Sequence, residues 1–262
     1  MRVISFVNLK GGVGKTTTVI NTAAILARIN EKSVLVIDAD SQCNMTEFFK
    51  REDLEGTCTT LADALRTAPD AAETAMNAIY ASSFEDVDII QADDSLMGLD
   101  LTSAAGLYTD CIADLVDRLK LLKVDYDYIL IDCPPAFNAA STAALVASDE
   151  VVIPIKLDAF SLRGMANLSR QIANMREINP KLRLAGLLPT MWYRGEPIRQ
   201  AEEMLRKSGL PVFSHIRRTP KVDAMTFDGR PLLESSPQCA AQRDYLRFVD
   251  ELMKGGEQNG RV

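Results

Sequence analysis

The residues best suited to chemistry lie near the start of the 262-residue chain, in Lys10-Gly11-Gly12-Val13-Gly14-Lys15-Thr16-Thr17. Glycines let successive backbone N–H groups converge on an anion, Lys15 adds a point charge for terminal phosphates, and the Thr16 hydroxyl suits Mg²⁺. This is the chemistry of holding a polyphosphate, with Gly11, Gly12, Val13 and Gly14 as cradle and Thr17 opening a helix whose positive dipole end faces the anion. Two acidic segments complete the set. Asp38-Ala39-Asp40-Ser41-Gln42-Cys43-Asn44 carries a pair of carboxylates, and Tyr128-Ile129-Leu130-Ile131-Asp132 ends an apolar run in an acid of the Walker B kind, which holds Mg²⁺.

Regular elements must place these residues together. Apolar runs at 3–7, 33–37, 87–91, 128–131, 150–155, 184–191 and 212–216 read as strands, and helical periodicity is expected at 17–29, 104–123, 160–178, 196–207 and 238–254. Residues 45–86 read as helical and acidic. In the 104–123 segment Leu107, Cys111, Leu115, Leu119 and Leu122 form an apolar stripe. The alternation predicts an α/β fold with a single doubly wound, mainly parallel sheet flanked by helices. It forms one domain over 1–254, followed by a flexible tail over 255–262. In such a sheet, carboxylates at strand C-terminal ends beside the phosphate loop sit where ligands bind.

The ordinary phosphate-loop pattern G-x-x-x-x-G-K-[ST] wants glycine where this chain has Leu9, and a second lysine, Lys10, follows it. With this deviant Walker A signature the sequence resembles the ParA/MinD family of dimerising P-loop ATPases. The resemblance implies ATP and Mg²⁺ as ligands, with Lys10 reaching a partner subunit's nucleotide. It matches Asp40 to the second acid of D-x-D-P-Q-x-N, which orients or activates the attacking water. Asp38 lies nearer the metal, beside Thr16 and Asp132, and Ser41 stands where relatives carry proline. Asp132-Cys133-Pro134-Pro135 resembles the switch II segment. Lys156 and Asp158 depart from a Q-x-E pattern, leaving Asp158 as a ribose contact. Thr190, Met191, Ile216 and Arg217 are implied around the adenine, although Ile216-Arg217-Arg218 lacks the proline of the family's I-P-R.

Composition narrows the function. The chain is 47% hydrophobic and 25% charged, as in a folded globular protein. Five scattered cysteines and the sole histidine, His215, argue against zinc, iron–sulfur and disulfide chemistry. Cys133, with no histidine near it in sequence, reads as a small packed residue and not a nucleophile. No apolar run suits a membrane span, and the chain enters its first strand at once, so a cytoplasmic location is expected. Net charge is −7, but residues 31–130 carry 21 acidic and 7 basic side chains, whereas 181–230 carry 5 acidic and 10 basic. That basic segment supplies DNA-binding candidates: Arg183, Arg194, Arg199, Arg206, Lys207, Arg217, Arg218, Lys221 and Arg230.

The resemblance points to members acting in plasmid or chromosome partition. Those switches form ATP-dependent homodimers, bind non-specific DNA on the nucleoid and answer to a ParB-type adaptor, with slow, partner-stimulated hydrolysis. Two alternatives stand beside this reading. One is a related ATPase positioning another cargo, such as a conjugation complex or microcompartment. The other is a MinD-like membrane switch, which the polar, glycine-rich C-terminus does not favour.

Overall fold

Apolar, largely β-branched runs buried on both faces form the centre of the sheet. The computed structural model describes residues 1–50, 58–66, 77–97, 112–113, 116–117 and 126–259. Strand β1 (Arg2–Phe6) lies between β5 (Tyr128–Asp132) and β6 (Glu150–Lys156), parallel to both. On the far side of β5 come β2 (Val34–Asp38) and then β4 (Val87–Ile90), also parallel, and β7 (Arg183–Thr190) extends the sheet beyond β6. The short β3 (Ile79–Ala81) pairs antiparallel at one edge, giving a seven-stranded order β3-β4-β2-β5-β1-β6-β7. The chain leaves β1 in one direction to form β2 and crosses to the other side after β5, so the topological switch lies at the C-terminal end of β1.

Alternating side chains send each strand's bulk into two cores. Leu35, Ile37, Ile129, Ile131 and Val151 face α4 (Ala139–Ala147) and α5 (Ala159–Ile178). On the opposite face Ile4, Phe6, Val36, Leu130 and Val152 pack with α1 (Lys15–Arg28) and α9 (Ala240–Asn259), the latter contributing Tyr245, Phe248, Val249 and Leu252. Shorter helices complete the described chain: α2 (Asn44–Phe48), α3 (Leu61–Arg66), α6 (Glu196–Arg206), α7 (Pro220–Asp228) and α8 (Leu232–Ser235). At the N-terminal edge of the sheet, buried Glu150 takes charge-assisted bonds from Arg2 and Arg183, each at 2.9 Å. Among the described residues no helix is long and apolar enough to cross a membrane.

Three expectations change. The strand expected at 212–216 is reduced to isolated bridges, Val212 with Leu187 and Arg217 with Trp192. The Leu187 N–H donates to the Pro211 carbonyl and the Phe213 N–H to the Leu187 carbonyl (2.9 Å each). Pro189 of β7 has no N–H to carry the ladder further, and on the other side the Ser214 N–H donates to the Glu251 carboxylate (2.8 Å). The acidic 45–86 segment contains β3, whose three residues are too few to show alternation. Helix α9 runs through to Asn259, so the tail read from Gly255 begins as helix. The expected 104–123 helix, with Cys111, lies outside the described residues except at 112–113 and 116–117, which are helical, with Ile112 and Val116 buried.

Candidate active site

The turn leaving β1 is built for close approach of an anion. Gly12 (φ 67°) and Gly14 (φ 84°) take left-handed backbone conformations, and an added Cβ at Gly11 or Gly12 would meet nothing within 4 Å, leaving the loop's concave side open. Gly14 is the N-cap of α1, and its carbonyl accepts from the Thr18 N–H and hydroxyl. Asn8 anchors the base of the loop: its Nδ2 donates to the Pro154 carbonyl (2.7 Å) and its Oδ1 accepts the Lys10 N–H (2.9 Å). Thr190, at the end of β7, donates through its buried hydroxyl to the Val13 carbonyl (2.8 Å). A cleft of about 780 Å³ opens over the loop, floored by Gly11, Gly12, Gly14, Lys15, Thr16 and Thr17 and walled by Asp40, Phe48, Pro135 and Phe227.

The acids converge as parallel strands dictate. Asp38 and Asp132 are register partners on β2 and β5, with Thr16 donating to Asp132 Oδ2 at 2.6 Å. Asp132 Oδ1 is buried with no hydrogen-bond partner. Burial first and the Asp38 charge second raise the Asp132 carboxyl well above the usual carboxylate range, against the pull of Thr16 and Lys15. A hydroxyl beside a carboxylate with an orphaned buried oxygen fits Mg²⁺, which takes oxygen ligands and is commonly held by one or two carboxylates plus phosphate. Among the described residues no cluster of three or more His, Cys, Asp or Glu forms a protein-only cage.

Asp38 is tied into its own loop. Its Oδ1 accepts the Asp40 N–H (3.1 Å), and its Oδ2 accepts both the N–H and hydroxyl of Thr46 (2.8 Å each). Burial outweighs these bonds and raises its carboxyl to about 6. Through these bonds Asp38 fixes the backbone at Asp40 and Thr46. Asp40 in turn receives the Gln42 N–H and lines the cleft. Cys133 is fully buried, and burial pushes its thiol up, in keeping with an inert packed residue.

Lys15 is buried at the start of α1, whereas Lys10 turns aside: its Nζ sits 2.6 Å from Asp158 Oδ2. A second cavity of about 270 Å³ continues from Gly14 and Thr17 past Thr190, Met191, Tyr193 and Ile216. This gathers the residues expected around a base, while Asp158 is placed against Lys10. Next to the lining residues Met191 and Ile216, the Trp192 and His215 rings stack with centroids 4.1 Å apart and planes 2° from parallel, both hydrogen-bonded to Glu202.

The basic segment divides sharply. Arg217 grips Asp244 through Nε (2.8 Å) and Nη2 (2.7 Å), and Asp244's side chain is 2% exposed, so this arginine clamps the cavity wall to α9. Arg183 sits at the sheet edge opposite the phosphate loop. Arg199, Arg206 and Lys207 pair with Glu196, Glu202 and Glu203 one helical turn away. Five of the nine DNA candidates thus have carboxylate partners; Arg194, Arg218, Lys221 and Arg230 are exposed without an ion pair among the described residues. Asn8, Thr46 and Phe227 went unread. Asn8 had a signal, a polar side chain between an apolar strand and a glycine loop; the other two meet the site only through the fold.

An AAA domain family model matches residues 1–184. The chain is 32% identical over 259 residues to the chromosome partitioning protein ParA of Caulobacter vibrioides, covering 97% of this chain and 94% of that protein. It is 31% identical over 261 residues to the sporulation initiation inhibitor protein Soj of Bacillus subtilis, covering 97% and 99%. Among solved structures, cobyrinic acid a,c-diamide synthase from Mycobacterium smegmatis with bound ATP analogue and magnesium superposes with a TM-score of 0.77 at 26% identity, covering 99% of this chain and 97% of that one. Signature, sheet order and full-length likeness agree: the chain belongs to the ParA/MinD family of P-loop ATPases.

Proposed function

We propose that this protein is a nucleotide-timed DNA-partition switch: an ATPase that dimerises around ATP, binds DNA non-specifically as the dimer, and is released when a ParB-type adaptor stimulates hydrolysis. The observation that carries the reading is the open glycine cradle beside Lys15, Thr16 and the orphaned Asp132 oxygen, in a chain that matches partition proteins along nearly its whole length. In this reading Gly11 to Gly14 hold the phosphates through backbone N–H groups, Lys15 neutralises their charge, and Thr16 and Asp132 hold Mg²⁺. Magnesium, when bound, screens the charge that develops on the phosphates. Asp40, kept in place by Asp38, orients the attacking water. Phosphoryl transfer asks little covalent help, so positioning and charge supply the rate, and a site completed only by a partner turns over slowly by itself.

Of the nine basic candidates, Arg194, Arg218, Lys221 and Arg230 are exposed without an ion pair among the described residues and are the ones offered to DNA phosphates, and a dimer presents each twice. Non-specific DNA binding driven by such contacts falls steeply with salt. Fluorescence anisotropy of a labelled duplex, with ATP, ADP or no nucleotide across a salt series, tests the proposal. Binding that needs ATP and weakens with salt is the expected result. ATP hydrolysis without DNA binding in any state refutes the DNA reading.

A further inference from the structure

Lys10 is held through both its backbone and its side chain. Its backbone N–H is fixed by Asn8, whose side chain also grips the Pro154 carbonyl at the end of β6, so the loop's position does not depend on where the lysine side chain goes. Its ammonium rests on Asp158, just beyond β6 in the same chain, at 2.6 Å. Both side chains of that pair are partly open to water, 38% for Lys10 and 28% for Asp158, so the contact is screened and readily exchanged.

We infer that the Lys10–Asp158 ion pair is an intramolecular latch that keeps the early lysine at home until a second, nucleotide-loaded copy of the chain arrives. The inference rests on the proposed reading of Lys10 as acting across a dimer. One lysine cannot serve its own aspartate and a partner's phosphates at once. The dimer therefore forms by exchanging two intrachain pairs for two pairs with triphosphate, whose greater negative charge wins the exchange. The latch raises the protein concentration at which ATP drives dimerisation, and it does so with side-chain rotations alone. Partly exposed ion pairs change an equilibrium by about 1.5- to 5-fold each, so two per dimer shift dimerisation by about 2- to 30-fold.

Sedimentation velocity with Mg²⁺ and a non-hydrolysable ATP analogue, over a range of protein concentrations, tests this. Asp158→Asn is expected to dimerise at about 2- to 30-fold lower protein concentration than the parent, Asp158→Glu to follow the parent, and the Asp158→Asn advantage to shrink as NaCl screens the latch. Thermal melts of both variants check that each is folded. An Asp158→Asn protein that dimerises like the parent, or needs more protein, overturns the latch; the second result makes Asp158 part of the dimer contact itself. Lys10→Ala separates the two layers of argument. If it still dimerises as the parent does, the trans reading of Lys10 fails, whereas an unshifted Asp158→Asn beside a monomeric Lys10→Ala removes the latch alone.

Discussion

Arg217 and Arg218 are neighbours in sequence with opposite employment in the fold, and substituting each separately tests that division. Arg217→Ala removes two charge-assisted bonds to Asp244 and one to the Ala240 carbonyl, leaving a 2%-exposed carboxylate with only the backbone N–H of residue 217 (3.0 Å) from this segment. Breaking a fully buried pair by removing one partner costs about 3–5 kcal/mol, but the Arg217 side chain is 39% exposed and water replaces part of what is lost, so about 2–3 kcal/mol is expected. For a chain of this size that lowers Tm by about 4–12 °C. Arg218→Ala, at an exposed position without an ion pair among the described residues, should stay within about 0.5 kcal/mol of the parent. Urea and thermal unfolding measure both variants, and the anisotropy assay reads DNA affinity below their melting temperatures. The double variant Arg217→Ala with Asp244→Ala should be less destabilised than the sum of its parts, because the orphaned charge is gone. A stable Arg217→Ala protein that loses as much DNA affinity as Arg218→Ala would refute the clamp and restore Arg217 to the DNA face.

Further expectations concern the site and the core. Lys15→Ala should abolish nucleotide binding, measured by calorimetry, whereas Asp40→Ala should bind ATP, fail to hydrolyse it and accumulate the dimer; hydrolysis at the parent rate would remove Asp40 from the mechanism. Gly186→Ala places a Cβ 2.7 Å from the Phe213 ring, which itself packs edge-on against Phe248, and should cost about 1–3 kcal/mol, with relief on adding Phe213→Leu. The Asp38 carboxyl, raised from 3.8 to about 6, binds more proton in the folded than the unfolded chain. Its stabilising contribution is complete below about pH 4 and is lost as pH rises through about 6, a change of about 3 kcal/mol. Unfolding of the nucleotide-free protein at pH 4 and pH 7 in urea should show a loss at least that large, because the buried Asp132 carboxyl is raised in the same direction, and Asp38→Asn should reduce the loss without abolishing it.

Legibility followed the range of the signal. The glycine loop, the flanking strand and helix, and the strand-end acids Asp38, Asp40 and Asp132 are local patterns, and parallel pairing then obliges Asp38 and Asp132 to stand side by side. What escaped reading depends on contacts far apart in the chain. Lys10 and Asp158 lie 148 residues apart, and Arg217 and Asp244 lie 27 apart. The basic balance of 181–230 was plain, yet which cations were already spent was settled by helical neighbours on α6 and by α9. Strand β3 is too short for alternation to register, and the segment at 212–216 has the right apolar content but meets Pro189 in β7, which has no N–H to extend the ladder beyond Leu187.

The chain has one tryptophan and one histidine, and the fold lays them face to face beside the second cavity. Their sequence neighbours Met191 and Ile216 line that cavity, and the two strips of backbone are tied by the Trp192 N–H on the Ile216 carbonyl and the Arg218 N–H on the Trp192 carbonyl. Whatever enters between Met191 and Ile216 bears on one ring of the stack or the other. The protein thus carries an optical gauge for this cavity: all indole emission comes from a single fluorophore, one residue removed from the cavity lining, so a nucleotide titration can be followed by fluorescence with no label attached.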